Sequence, residues 1–174
     1  MNNHSLFTNL ARRQRSIELV MLRTGGSRWI EANSVRLLRI SLGLVFFLFG
    51  VLKFFPEISP AEELATRTVD RMTLGLIAGN IALWLVAALE TTIGLCLILG
   101  KWLRFGLALL MVTLVGIMAP LALFPGELFS RQYHAPTLTA QYVLKDIALA
   151  GAVLVLIAHE IRSRRAALDA LEGR

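Results

Sequence analysis

Few side chains in this sequence are suited to chemistry, and most of them border long apolar runs or lie inside them. They are one carboxyl group deep in an apolar run, two lysines, an aspartate, a histidine and a glutamine: Glu90, Lys53, Lys145, Asp146, His134 and Gln141. Lysine donates hydrogen bonds, and a carboxyl group accepts or releases protons. Because ionisable residues within apolar segments are typical of substrate and proton pathways, these six form a candidate polar pocket.

A structural interpretation of the same residues stays open. Lys53 and Lys145 are placed near the ends of apolar runs, where lysine side chains commonly extend to the water interface. Asp146 would then pair with one of the two lysines. In that case the residues fix the helices in the membrane and bind no ligand.

Glu90 is the most constrained of the candidates. It precedes Gly100 by about 15 Å of helix, too deep for its side chain to reach the surface. Its charge needs a partner, or its pKa must rise until it is neutral. One prediction is an ion pair with Arg39 that holds the first two spans together. The other is a proton relay between Glu90 and the lysine cluster.

Metal and disulfide chemistry are not indicated. The three histidines, His4, His134 and His159, are too widely separated along the predicted topology to share one ion, so we predict no metal or haem. The single cysteine, Cys96, excludes an internal disulfide and a Cys-x-x-Cys redox pair.

Four long apolar runs must position these residues. The sequence is 56% hydrophobic with a mean hydropathy of +0.64, which favours an integral membrane protein. The first run, about residues 37–55, reaches about 28 Å as a helix, close to the thickness of bilayer hydrocarbon. The others cover about residues 73–99, 105–124 and 141–158. The predicted fold is an all-α integral membrane four-helix bundle, with a short helix outside the hydrocarbon after the first span.

The predicted organisation has three parts. Residues 1–35 form a basic cytoplasmic or membrane-surface segment that does not resemble a cleaved signal peptide. Residues 36–158 form the four-span membrane domain. Residues 159–174 form a charged cytoplasmic tail with a short helix.

The positions of lysine and arginine predict the orientation. With four spans, 13 of these residues fall on the side of the two termini and 5 on the other side. The positive-inside rule therefore places both termini in the cytoplasm. Because the cations cluster beside spans, where they face anionic lipid, the net charge of +6 does not indicate nucleic-acid binding.

Small residues predict helix-packing faces on the first two spans. One helix face carries Arg39, Gly43, Phe46, Gly50 and Lys53, which follow one another at spacings of four, three, four and three residues. Gly94 lies on the second run. Glycines on such faces let helix backbones approach closely in membranes, so we predict that these three serve packing.

The order and spacing of these motifs resemble those of the DoxX-like family of small bacterial four-helix membrane proteins. The similarity covers about residues 36–158. It rests on three motifs: Arg39-x3-Gly43-x6-Gly50-x2-Lys53-Phe54, Leu89-Glu90-x3-Gly94-x5-Gly100, and Pro136-Thr137-Leu138-x2-Gln141-Tyr142-x2-Lys145-Asp146.

The resemblance implies a multi-pass protein of the bacterial inner membrane. Some members of the family are subunits of thiosulfate:quinone oxidoreductases. It therefore implies an accessory or quinone-interacting subunit of a membrane redox system, with a quinone as the candidate ligand and another oxidoreductase subunit as the candidate partner. The alternative is a non-enzymatic scaffold or carrier that acts as a homo-oligomer. The residues leave open whether the protein is an enzyme.

Overall fold

The computed structural model describes residues 25–55, 62–129 and 135–173, and nearly all of them are helical. In chain order the helices are α1 (Gly25–Leu52), α2 (Glu62–Met72), α3 (Gly79–Leu99), α4 (Leu103–Leu123), α5 (Pro125–Leu128) and α6 (Leu138–Glu172). Four of them, α1, α3, α4 and α6, are long and apolar enough to cross a membrane. Within these ranges there is no strand, only an isolated bridge between Phe129 and Pro136. The predicted fold class is confirmed.

The chain divides into two compact units, residues 1–37 and 38–174. In the first unit the structure describes residues 25–37, which are helical and mostly exposed. The second unit holds the packed helices. There α4 contacts α3 and α6, whereas the short helix α2 packs against α3 and α4.

The core of the second unit is made of apolar side chains from α3 to α6 together with Leu42 and Phe46 of α1. Its largest fully buried members are Leu83, Ile93, Leu97, Leu110, Leu128 and Val153. Large apolar side chains also point outward, as Trp84 and Val112 do with 53% and 70% of their surface exposed. An apolar exterior around an apolar core is the pattern that a bilayer environment requires.

The second span begins later than the sequence predicts. The expected start was near residue 73, but the chain turns between Thr73 and Ile77, and α3 begins at Gly79. The Thr73 hydroxyl accepts a hydrogen bond from the Ile77 amide at 3.1 Å. Leu74 and Gly75 have φ values of 53° and 83°, which a helix cannot contain.

The turn between α3 and α4 makes these two helices adjacent. Gly100 caps α3 with φ 70°, and its amide donates to the Cys96 carbonyl at 3.0 Å. This left-handed cap suits glycine, which has no Cβ to clash. Since only three residues separate the helices, α4 returns directly along α3.

The fourth span and the charged tail form one continuous helix. Thr137 caps the start of α6, where its hydroxyl accepts from the Ala140 amide at 3.3 Å. The helix then runs for 35 residues to Glu172. Residues 152–172 contain neither glycine nor proline, so nothing in the sequence interrupts the helix where the span was predicted to end.

Candidate functional site

Three glycines lie where α1 and α3 pack against each other. The nearest residue of the other helix is Ile98 for Gly43, Thr91 for Gly50 and Phe47 for Gly94. A step forward along α1 matches an equal step back along α3, so the helices are antiparallel in constant register. A Cβ atom at Gly50 or Gly94 would lie 2.5 Å from a backbone nitrogen of the opposite helix. Only glycine permits this approach.

The close contact brings Lys53 to Glu90. Their Nζ and Oε2 atoms are 2.5 Å apart, and the two residues are only 5% and 6% exposed. Side chains on a helix lean toward its N-terminus, so on antiparallel helices the two side chains point toward each other. Gly50, one turn before Lys53, faces Glu90 and Thr91, which sets the two charges at nearly the same level.

This ion pair is the only one among the described residues whose two partners are both buried. Taking two charges out of water is costly, and their mutual attraction offsets the cost only while both are present. The aromatic ring of Phe49 adds a weak cation–π contact, with its centroid 6.0 Å from the Lys53 Nζ atom. Each charge therefore depends on the other.

A second carboxyl group lies near the pair. Asp146 on α6 is half-buried and close enough to Glu90 for their charges to interact. The neighbouring Lys145 is exposed, with its Nζ atom 4.4 Å from the centre of the Tyr142 ring. Lys145 is in turn close enough to Asp146 for their charges to interact, but its side chain is exposed, unlike those of Lys53 and Glu90.

One buried hydroxyl beside the pair lacks a partner. Within the described ranges, the Thr91 Oγ1 atom is inaccessible to solvent and makes no hydrogen bond. It lies against Gly50, where a Cβ atom would come within 2.7 Å of it. An unsatisfied donor is thus placed next to Glu90, on the contact between α1 and α3.

Arg39 is not the partner of Glu90 in the structure. Glu90 lies at the level of Gly50, eleven residues and about 16 Å from Arg39 along α1, which exceeds the reach of an arginine side chain. The Arg39 guanidinium instead lies against Gly100, where a Cβ atom would be 2.5 Å from Nη1. A cation at the C-terminus of α3 stabilises the helix dipole.

The remaining predicted pocket residues fall elsewhere. Gln141 is exposed and donates from Nε2 to the Pro136 carbonyl at 3.4 Å, so its amide is directed to the loop. His134 lies outside the described residues. Among the five candidates that the structure describes, Lys53 and Glu90 are in contact, Asp146 lies near them, and Lys145 is exposed beside Asp146.

An ion pair between α2 and α5, here called the Arg67–Glu127 clasp, is not predicted from the sequence. Arg67 donates from Nη1 and Nη2 to the two carboxylate oxygens of Glu127 at 2.9 Å and 2.6 Å, and its guanidinium carbon lies 4.9 Å from the centre of the Phe124 ring. The hydrogen bond from Arg67 holds the pKa of the Glu127 carboxyl below its usual range. The same contact raises the pKa of the Arg67 guanidinium. No local pattern links residues 60 positions apart.

Four apolar helices around a buried ion pair define a small multi-pass membrane protein. The profile of the DoxX family matches residues 34–123, more than half of the chain, and the chain belongs to that family. The matched region runs from α1 to the end of α4, so it contains Lys53 and Glu90 but not Asp146. No curated protein and no solved structure matches the sequence.

Proposed function

We propose that this DoxX-family protein is an accessory subunit of a membrane redox system and binds a quinone headgroup beside Lys53 and Glu90. The observation that carries the proposal is a paired charge buried between two apolar helices. Ionisable groups at such positions are expensive and are commonly retained for substrate or proton pathways. The apolar bundle also suits a ligand that is dissolved in the bilayer.

The polar groups of the site match the acceptors of a quinone. Lys53 and the unpartnered Thr91 hydroxyl are hydrogen-bond donors, which suit the carbonyl oxygens of a quinone ring. Glu90 orients the Lys53 ammonium, and Asp146 is the nearby carboxyl group that holds or passes a proton. A bound quinone would accept electrons delivered by a partner oxidoreductase subunit.

The proposal includes an inner-membrane location with both termini in the cytoplasm. It is supported by the distribution of lysine and arginine, with 13 residues on the side of the termini and 5 on the other. In this orientation Lys53, just past the end of α1, lies on the periplasmic side, and Glu90 lies near the middle of α3. Protons would therefore be exchanged on the periplasmic side.

Thermal unfolding of the detergent-purified protein with a short-chain ubiquinone or menaquinone tests the ligand. A quinone at about 100 times its Kd adds about 2.7 kcal/mol, which raises the Tm by about 5 to 10 °C for a chain of this size. We expect this rise for the parent chain and for Lys145→Met, the exposed lysine. Thr91→Val, which removes a donor without removing a charge, should reduce it. An unchanged Tm in the parent would contradict the proposal.

A second candidate function is a non-enzymatic membrane scaffold. It is favoured by the closed geometry of the site, in which Lys53 and Glu90 satisfy each other at 2.5 Å. The double variant Lys53→Met/Glu90→Met separates the two functions, because it removes both charges together. Full activity of this variant in the host would favour the scaffold, and loss of activity in a folded protein would favour the quinone site.

A further inference from the structure

Helix α6 extends well past the thickness of a membrane. Its 35 residues reach about 52 Å, against about 30 Å of hydrocarbon. About two thirds of the way along, it is tied to α4 by Glu160, whose Oε1 atom lies 3.7 Å from the Arg104 Nε atom. From Ile161 to Gly173 every residue is exposed.

An apolar stripe continues along this extension. Its six members alternate in spacing between three and four residues: Leu154, Ile157, Ile161, Arg164, Leu168 and Leu171. This is the spacing of the a and d positions of a heptad repeat. Lipid can cover the members inside the bilayer, but Leu168 and Leu171, with 58% and 69% of their surface exposed, lie beyond the predicted span. Leucines at this spacing give the extension one apolar face that can be buried against a partner.

The charges beside the stripe are complementary between two copies. All copies insert in the same direction, so their α6 helices run parallel. In a parallel two-stranded coiled coil, residues at g and e positions pair across the interface. Here the g position holds Glu160, and the e position five residues later holds Arg165. The contacts of Glu160 with Arg104 and Arg164 of its own chain both use the Oε1 atom, so the Oε2 atom is the one that would accept from Arg165 of the second copy.

Arg164 is the one charged member of the stripe, at a d position. Within the protomer its Nε atom lies 2.5 Å from the Glu160 Oε1 atom, which neutralises its charge beside the seam. A single polar residue in such a seam fixes the register and the number of strands at some cost in stability. Arg164 is thus compatible with one defined pairing.

We propose that two copies of this chain pair through the α6 stripe as a parallel coiled coil that begins in the bilayer and continues beyond it. The same surface serves both partners, as two-fold symmetry requires. This pairing is independent of any ligand at Lys53 and Glu90, so it stands or falls separately from the proposed function.

Cysteine cross-linking of the full chain in native membranes tests the interface. Leu168→Cys places a thiol in the seam, whereas Ala166→Cys places one on the opposite side of the same exposed helix, and the parent has only the buried Cys96. We expect roughly tenfold more disulfide-linked dimer from Leu168→Cys than from Ala166→Cys, because a disulfide needs close Cβ atoms. Equal yields, or cross-links to a different protein alone, would overturn the proposal.

The protein mass of the particle in detergent, without the mass of bound detergent, is an independent measure of the number of chains. We expect the parent to have twice the 19.2 kDa chain mass and Leu168→Glu/Leu171→Glu to have the mass of one chain. Both side chains are exposed within the chain, so the two substitutions should not prevent the four-helix bundle of each chain from folding. A parent of single-chain mass, or a variant that stays dimeric, would overturn the proposal.

Discussion

Lys53 and Glu90 show how a pair of residues can be identified from sequence while its partnership cannot. The position of Glu90 in an apolar run predicts that its charge needs a partner. The choice between Arg39 and Lys53 depends on the register between α1 and α3, which Gly50 and Gly94 set through contacts between helices. No local pattern contains that register, so the predicted pairing differs from the observed one.

Mutual dependence makes the two charges energetically coupled. We expect Lys53→Met or Glu90→Met alone to lower the free energy of unfolding by about 3–5 kcal/mol, because each leaves an unpaired buried charge. The double variant should be less destabilised than either single variant. Denaturant titration in mixed micelles measures this cycle, with Lys145→Met as the exposed control. Strictly additive effects would show that the two charges act separately.

At the scale of helices, glycine contacts and short turns determine the packing. The apolar runs predict the existence of the spans, and the structure has four helices that can cross a membrane. The boundaries are predicted less well, because the turn at Leu74 and Gly75 and the uninterrupted course of α6 depend on backbone details. The predicted short helix after the first span corresponds to α2, although its clasp to α5 was not predicted.

Gly94 and Gly116 both lie inside apolar helices, but only Gly94 packs closely against another helix. A Cβ atom at Gly94 would lie 2.5 Å from the Phe47 nitrogen, whereas one at Gly116 would meet nothing within 4 Å. Gly94→Ala should therefore destabilise the protein by about 1–3 kcal/mol or more through overpacking. Gly116→Ala should be neutral or stabilising, since alanine favours helix. The Tm values of both variants in one detergent check this, and equal values would contradict the packing.

The Arg67–Glu127 clasp should respond to acid. Because Arg67 lowers the pKa of Glu127 in the folded state, the clasp contributes stability above the ordinary carboxyl pKa of 4.5 and loses it as the pH falls through the lower folded value. Both side chains are about half exposed, so the contribution is small and is weakened by salt. The Tm difference between the parent and Glu127→Gln should be larger at pH 7 than at pH 3. A difference that grows in acid would contradict this assignment.

At the scale of the molecule, the topology determines which side of the membrane the Lys53 end of the Lys53–Glu90 pair faces. The family and the four apolar helices establish a multi-pass membrane protein. The distribution of lysine and arginine predicts its direction, and in that orientation Lys53, next to the end of α1, would face the periplasm. The sequence predicts Lys53, Glu90 and Asp146 as candidates together with Lys145 and Gln141; it does not show that the last two side chains are exposed, because linear proximity to Asp146 does not specify which helix face a residue occupies.

Reporter fusions test the direction. Alkaline phosphatase inserted after Gly126, between α4 and α6, should be active, because it requires the periplasm. Green fluorescent protein at the C-terminus should fluoresce, because it folds in the cytoplasm. An inactive phosphatase with a dark C-terminal fusion would reverse the orientation and move the proposed site to the other face.

Photoaffinity labelling with an azidoquinone tests the central claim most directly, because it shows where the headgroup lies. We expect the label to attach to peptides of α1 and α3 around Lys53 and Glu90. Excess unlabelled quinone should prevent this labelling, and Lys53→Met/Glu90→Met should lack it. Labelling confined to lipid-facing residues such as Trp84 and Val112, and insensitive to the competitor, would contradict a quinone site at the buried pair.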